Sequence, residues 1–254
     1  MQLVISPAKK MRADTDTLPW RDLPRFLEQA EILYTKLRTL PYHQLKALWR
    51  CSDAIAAQNV QRLAAGDLRT GLTPAILAYE GIQYRYMAPG VFSRGEFDYV
   101  QEHLRILSGL YGLLRPFDGV IPYRLEMQAK LDAGNGKNLY SYWNHLIADS
   151  LYQESDCIVN LASREYSLCI SPYQRPGTRL ITCVFGEVRA GRIVEKGTLC
   201  KMARGEMVRY LAERQAAEPE AMQEFSRLNF SFSPRHSDPS TYVFLLGGAH
   251  GPHH

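Results

Sequence analysis

No run of apolar residues in this chain approaches the roughly 20 that a membrane span needs. The opening MQLVISPAKK carries only a short apolar stretch with no charged segment before it. It reads as a first strand and not as a secretory leader. A cytoplasmic setting is the expectation. Cysteine is scarce: Cys51, Cys157, Cys169, Cys183 and Cys200 are odd in number, widely spaced and never in a CxxC pair. That excludes a disulfide framework and a cysteine zinc site. The histidines His43, His103, His145, His236, His250, His253 and His254 form no HxxxH or HxH pair on a plausible helix. No metal site and no cofactor are expected. Internal repeats and long low-complexity linkers are absent too, and the closing GGAHGPHH reads as a flexible tail over 247–254.

Charge of one sign is also missing. Lys and Arg number 30 against 26 Asp and Glu, a formal net charge of +4. The sequence pI near 8.7 falls short of the roughly 9 common in dedicated nucleic-acid domains. The balance permits an anionic partner without demanding one. What remains is 254 residues, 46% hydrophobic and 22% charged. These are ordinary soluble-domain values with enough chain for a sizeable core. One domain over 1–246 is the expectation.

Leu3 to Ser6 reads as a buried strand stopped by Pro7. Helical periodicity runs over Leu23 to Leu40, with Phe26, Leu27, Ala30, Leu33, Tyr34 and Leu37 on one face. Two more helices follow over His43 to Arg50 and Asp53 to Ala65, the second capped by Ser52 and ended by Gly66. Thr73 is the expected cap of a short helix carrying PAILAYEG. Phe97 to Leu107 and Ser141 to Gln153 read as helices, YRLEM as extended, and DCIVNLA as a strand. RLITCVFGEV and RIVEKG read as a glycine-turn hairpin. A helix over Thr198 to Arg214, a last helix over Pro219 to Leu228 and a closing strand TYVFLL complete the pass. The mixture is α+β, or mixed α/β, without the βαβ alternation of a Rossmann domain.

Four stretches carry chemistry. SPAKK, Ser6 to Lys10, follows the first strand, where a lysine binds phosphate as a point charge or acts desolvated as a base. A solvated loop is the plainer reading. SGLYGLLRPFDGVIPYRLEM, Ser108 to Met127, gathers Tyr111, Arg115, Asp118, Tyr123 and Arg124 between Ser108 and Glu126, with Gly109 and Gly112 at its start. Its glycines permit positive φ and close backbone approach, to a phosphate or between packed elements. Their spacing of three resembles a DNA-binding helix-hairpin-helix turn, which sets them two apart. NLASREY, Asn160 to Tyr166, offers Ser163 and Glu165 at a strand end, as a hydrogen-bonding and general-base pair or as a capped turn. KMARGEMVRY puts Lys201 and Arg204 on one helix face, suited to phosphate or simply solvated.

Together these stretches resemble the YaaA family of bacterial peroxide-stress proteins. The residues that carry the resemblance are LVISPAK (Leu3–Lys9), LRILSGLYGLLRPFD with PYRLEM through Met127, YSYW (Tyr140–Trp143), VNLASREY (Val159–Tyr166) and KMARGEMVRYL (Lys201–Leu211). The chain departs from the family pattern at Lys10, where Thr is usual, and at Ile82, where an acidic residue is usual. It departs again at Asn144 and at Met202, in place of Gly and Lys. The resemblance implies a single compact domain of unusual topology with a basic cleft and a helix-hairpin-helix element. It also implies DNA binding and a role in limiting oxidative, iron-linked DNA damage.

Three functions stand at this stage. The first is a DNA-binding protein of the peroxide response, with Ser6, Lys10, Gly109, Tyr111, Gly112, Arg115, Tyr123, Arg124, Lys201 and Arg204 contacting double-stranded DNA or another anion. The second is an enzyme on a nucleotide, nucleobase or other small anion, with Lys9, Glu126, Ser163 and Glu165 as catalytic candidates. The third is an iron-binding protein, poorly supplied with ligands. No membrane partner is expected, and the chain is expected to be a monomer. A closed pocket around Lys9, Arg124, Glu126, Ser163 and Lys201 favours the second; an open groove favours the first.

Overall fold

The computed structural model describes residues 1–134 and 138–247. The rest of the expected tail, 248–254, lies outside the described residues. Among the described residues one mixed sheet of eight strands organises the molecule. Its centre is parallel. The first strand, Gln2–Ile5, pairs on one side with Leu104–Ser108 and on the other with Cys157–Leu161. Arg179–Arg189 and then Thr241–Leu246 extend the sheet in the same direction. Antiparallel strands close both edges: Gly112–Leu114 on Leu104–Ser108, and Phe230–Phe232 on Thr241–Leu246. Arg192–Val194 folds back on Arg179–Arg189 as the expected hairpin.

A parallel sheet is covered on both faces, so its central strands are buried along their length instead of alternating. All four residues of Gln2–Ile5 and all five of Leu104–Ser108 are buried. The buried side chains form one continuous cluster that includes Leu3, Ile5, Ile106, Tyr111, Trp143 and Phe185. No helix among the described residues is long and apolar enough to cross a membrane.

Helices Leu27–Arg38, Tyr42–Trp49 and Asp53–Ala65 lie close to the expected spans. Four expectations are corrected. Helix Arg94–His103 starts at a capping box, with Ser93 Oγ accepting from Glu96 N–H and the Glu96 carboxylate accepting from Ser93 N–H. It ends before Leu104, and Leu104 to Leu107 belong to the sheet. Thr73 caps no helix; it is bridged to Val120 and accepts from the N–H of Asp14. The helix expected over Ser141 to Gln153 is two helices, Leu139–Trp143 and Leu146–Glu154, broken where Asn144 takes a φ of 44°. The last helix is a 3₁₀ segment, Pro219–Glu224.

The glycine stretch is also corrected. Gly109 and Gly112 connect two antiparallel strands, not two helices. Gly112 has a φ of +70°, and a Cβ there meets the Trp143 ring at 2.8 Å. A Cβ on Gly109 meets the carbonyl oxygen of Leu125 at 2.4 Å, and Trp143 Nε1 donates to the Gly109 carbonyl. The hairpin is thus a seat on which the PYRLEM segment rests.

Candidate functional site

The first strand is where the sheet's order divides. Chain segments that follow it in sequence pair on both of its sides. In open parallel sheets, ligands bind beyond the carboxyl ends of the strands at such a point. Ser6 follows the first strand there, and Ser163 stands just past its neighbour Cys157–Leu161. Ser6 Oγ accepts the Ser163 backbone N–H at 2.8 Å and donates to Ser163 Oγ at 3.2 Å. Tyr84 OH donates to the Ser6 carbonyl at 3.1 Å.

A cavity of about 400 Å³ opens at this junction, within the range of small-molecule sites. Its wall draws on five separate parts of the chain. The loop after the first strand gives Ser6 to Lys10, and helix Ile82–Met87 gives Ile82, Gln83 and Tyr84. The extended segment gives Tyr123 to Glu126, and the turn after Leu161 gives Ser163, Glu165 and Tyr166. Helix Gly197–Arg214 gives Lys201 and Arg204. Helix Gly197–Arg214 reaches the site because Gly205 lets it pack on helix Ile82–Met87; a Cβ there falls 2.0 Å from the Gln83 carbonyl oxygen.

The extended segment is held from below. Tyr123 OH lies 2.6 Å from Ser108 Oγ and 2.8 Å from Tyr79 OH. Burial pushes the Tyr123 hydroxyl up to about 12, and raises Tyr84 and Tyr166 as well. The phenols are therefore neutral walls and donors. Glu126 joins two cations: its carboxylate lies 2.8 Å from Lys9 Nζ and 3.3 Å from Arg124 Nη2. Lys10 reaches Glu80 at 2.9 Å, and Arg204 reaches Glu195 at 3.4 Å. The lining holds five cationic side chains against three acidic ones.

Three buried nitrogens on this wall have no hydrogen-bond partner among the described residues: Arg124 Nε, Arg204 Nε and Gln83 Nε2. Each is a donor. Glu165 is the carboxylate with a displaced titration; burial raises it above the ordinary glutamate value, with Glu126 adding in the same direction, against the Gln128 N–H it accepts.

Ten of the fourteen residues singled out in the sequence line this cavity: Lys9, Glu126, Ser163, Glu165, Ser6, Lys10, Tyr123, Arg124, Lys201 and Arg204. Gly109, Tyr111, Gly112 and Arg115 do not. Both glycines are packed as described above. Tyr111 is fully buried and accepts from the Ile121 N–H. Arg115 pairs with Asp118 and Asp22 at 3.1 Å each. Lys9 also departs from the picture of a desolvated base, since its side chain is 65% exposed and ion-paired. Gln83, Tyr84, Glu80 and Tyr166 are additional lining residues. The sequence reading places no helix at Ile82–Met87, and nothing in YEGIQYRYM marks which side chains meet a cavity. Ile82, one of the positions of expected departure from the family pattern, lines the cavity.

The family described as peroxide stress protein YaaA matches residues 1–236 of this sequence. The chain belongs to this family. A UPF0246 protein of Desulfitobacterium hafniense is 52% identical over 245 residues, covering 96% of this chain and 98% of the relative. A UPF0246 protein of Lachnoclostridium phytofermentans is 49% identical over 247 residues, 97% of both chains. One from Pediococcus pentosaceus is 44% identical over 250 residues, 98% of this chain and all of the relative. Membership in the YaaA family makes this a peroxide-stress-related protein.

Proposed function

We propose that this YaaA-family chain is an enzyme that binds a small, acceptor-rich anion of the nucleotide class in the cavity at the end of the first strand and moves a proton on it. The observation that carries this reading is the set of unpaired buried donors, Arg124 Nε, Arg204 Nε and Gln83 Nε2. Each unmade hydrogen bond costs roughly 1–3 kcal/mol. Phosphate or carboxylate oxygens supply the missing acceptors and match the forked guanidinium geometry. Lys201 adds charge at the rim. Glu165, with its titration raised by burial, is the proton acceptor of choice. Glu126 positions Lys9 and Arg124, and the paired hydroxyls of Ser6 and Ser163 orient the polar end of the ligand. We set this activity in the peroxide response, where limiting iron-linked oxidative damage to DNA is its outcome for the cell.

The test is calorimetric titration of AMP into wild type, Arg124→Gln and Arg204→Gln. Binding that weakens about tenfold or more in each variant supports the reading. Equal affinity in all three proteins overturns it.

A second reading is that the same cavity receives a nucleotide within DNA. The exposed side chains of Lys9 and Lys10, at 65% and 79%, favour it, since each can exchange its carboxylate partner, Glu126 or Glu80, for a phosphate at the mouth. It requires that duplex affinity fall steeply with salt, with a shallower slope in Lys9→Gln/Lys10→Gln. Flat salt dependence removes it.

A further inference from the structure

Beside the first cavity lies a larger one of about 670 Å³, and Lys9 and Glu126 line both. The Lys9–Glu126 ion pair is thus the partition between two chambers. The second chamber is built from different elements. Helix Leu27–Arg38 gives Lys36, helix Tyr42–Trp49 gives Gln44, Leu48 and Trp49, and the segment after PYRLEM gives Gln128 to Asp132. Trp49 also joins the two chambers: its carbonyl accepts from Arg124 Nη2 at 3.4 Å. Its indole is buried at 3% exposure, and Nε1 has no partner among the described residues. Across both chambers, then, the unpaired buried polar atoms are all nitrogens: two guanidinium Nε, one amide and one indole.

We infer that the two chambers are one bipartite site, and that its ligand is an elongated anion of dinucleotide size, with its second, acidic and partly apolar half against Trp49. The inference rests on the reading of the first chamber as an anion site and extends it. Charge points the same way. Lys9, Lys36, Arg50 and Lys130 face Glu126 and Asp132 in the second chamber, four cations to two acids. Leu40, Leu48, Ala129 and Leu131 give the apolar surface that a sugar or base needs. A mononucleotide fills one chamber and leaves the indole donor unmet. A ligand that crosses the partition lies against all four of these side chains, at the cost of displacing or bridging the exposed Lys9 ammonium.

The experiment is paired calorimetry with two probes, AMP and the 5′-phosphorylated diadenylate pApA, on wild type, Trp49→Phe, Lys36→Gln/Lys130→Gln and Arg204→Gln. Trp49→Phe keeps an aromatic side chain and removes the donor. The lysines of the double variant are exposed, so that protein folds even if the tryptophan variant does not. The expected result is pApA binding about tenfold or more tighter than AMP, an advantage lost in Trp49→Phe and in the double lysine variant while AMP affinity stays constant. Equal affinity of wild type for the two probes overturns the bipartite site and leaves the first-chamber reading standing. An AMP affinity indifferent to Arg204→Gln overturns that first reading. A pApA advantage that survives both second-chamber variants also overturns the inference.

Discussion

Ser6 and Ser163, far apart in sequence, close a two-point contact across the carboxyl ends of neighbouring parallel strands: Ser6 Oγ accepts the Ser163 N–H at 2.8 Å and donates to its hydroxyl at 3.2 Å. The hydroxyl takes over from the ladder at the point where the strands part. Ser6→Ala leaves the half-buried Ser163 N–H without its partner. A loss of about 1–3 kcal/mol is expected in urea denaturation. Ser163→Ala removes only the weaker half of the contact and is expected to cost less than half as much. Equal losses in the two variants would contradict the assignment of donor and acceptor.

Gly205 brings the helix carrying Lys201 and Arg204 onto helix Ile82–Met87. A Cβ at that position falls 2.0 Å from the Gln83 carbonyl oxygen and 2.9 Å from the Met87 nitrogen, both backbone atoms that cannot step aside. Gly205→Ala is expected to destabilise by about 3 kcal/mol or more and to weaken anion binding, because Arg204 moves with the helix. Gly197 begins the same helix in open space. Gly197→Ala is expected to change stability by no more than about 0.5 kcal/mol. Thermal unfolding of the two variants side by side makes the comparison, and similar melting temperatures would refute the close-packing argument.

These contacts explain what was legible in the sequence. Local signals were: helix Asp53–Ala65, strand Thr241–Leu246 and the hairpin at Arg192–Val194 follow from periodicity and turn chemistry within ten or twenty residues. The candidate side chains were legible because they are polar residues at the ends of apolar runs. The parallel sheet was not. Its register pairs Leu3 with both Leu104 and Val159, and no local pattern announces such distant partners. Leu104 to Leu107 illustrates the difficulty, since a short apolar run after a helix suits helix and buried strand alike. For the glycines of SGLYG the sequence leaves a ligand phosphate and packing between elements both open, because it shows that space is required but not what fills it. Trp143 and the Leu125 carbonyl fill it. Gln83 was missed for the converse reason: its importance lies in a bond it does not make.

The carboxylate of Asp118 is 1% exposed, and burial lifts it from 3.8 to about 6 although Arg115 donates to it from both backbone and side chain. A carboxyl titrating higher in the folded than in the unfolded state binds its proton more tightly when folded. Its contribution to stability is therefore complete below about pH 4 and is lost as pH rises through about 6. A difference of this size corresponds to about 3 kcal/mol. Asp118→Asn, uncharged throughout, is expected to cost more at about pH 4 than at about pH 7, by up to that amount. Urea titrations of both proteins at the two pH values decide it; a penalty that grows with pH reverses the sign and refutes burial as the dominant effect.

Glu165 offers the sharpest handle on chemistry, because burial raises its carboxyl above the ordinary glutamate value while Lys9 and the Gln128 N–H act in the opposite direction. If it accepts a proton from the bound anion, only its ionised form is active, and the acid limb of the pH–rate profile follows its titration. That limb is expected to lie above the usual glutamate range. Glu165→Gln keeps the acceptor for Gln128 through its amide oxygen, so the fold is expected to persist. The rate is expected to fall by about 10²-fold or more, the scale of general base catalysis, with AMP affinity changed less than about threefold. A neutral side chain also removes the repulsion with Glu126, so any change in affinity is expected to be towards tighter binding. Loss of AMP binding together with the rate would mean that Glu165 shapes the pocket and is not its base, and an unchanged rate would assign the proton to another group.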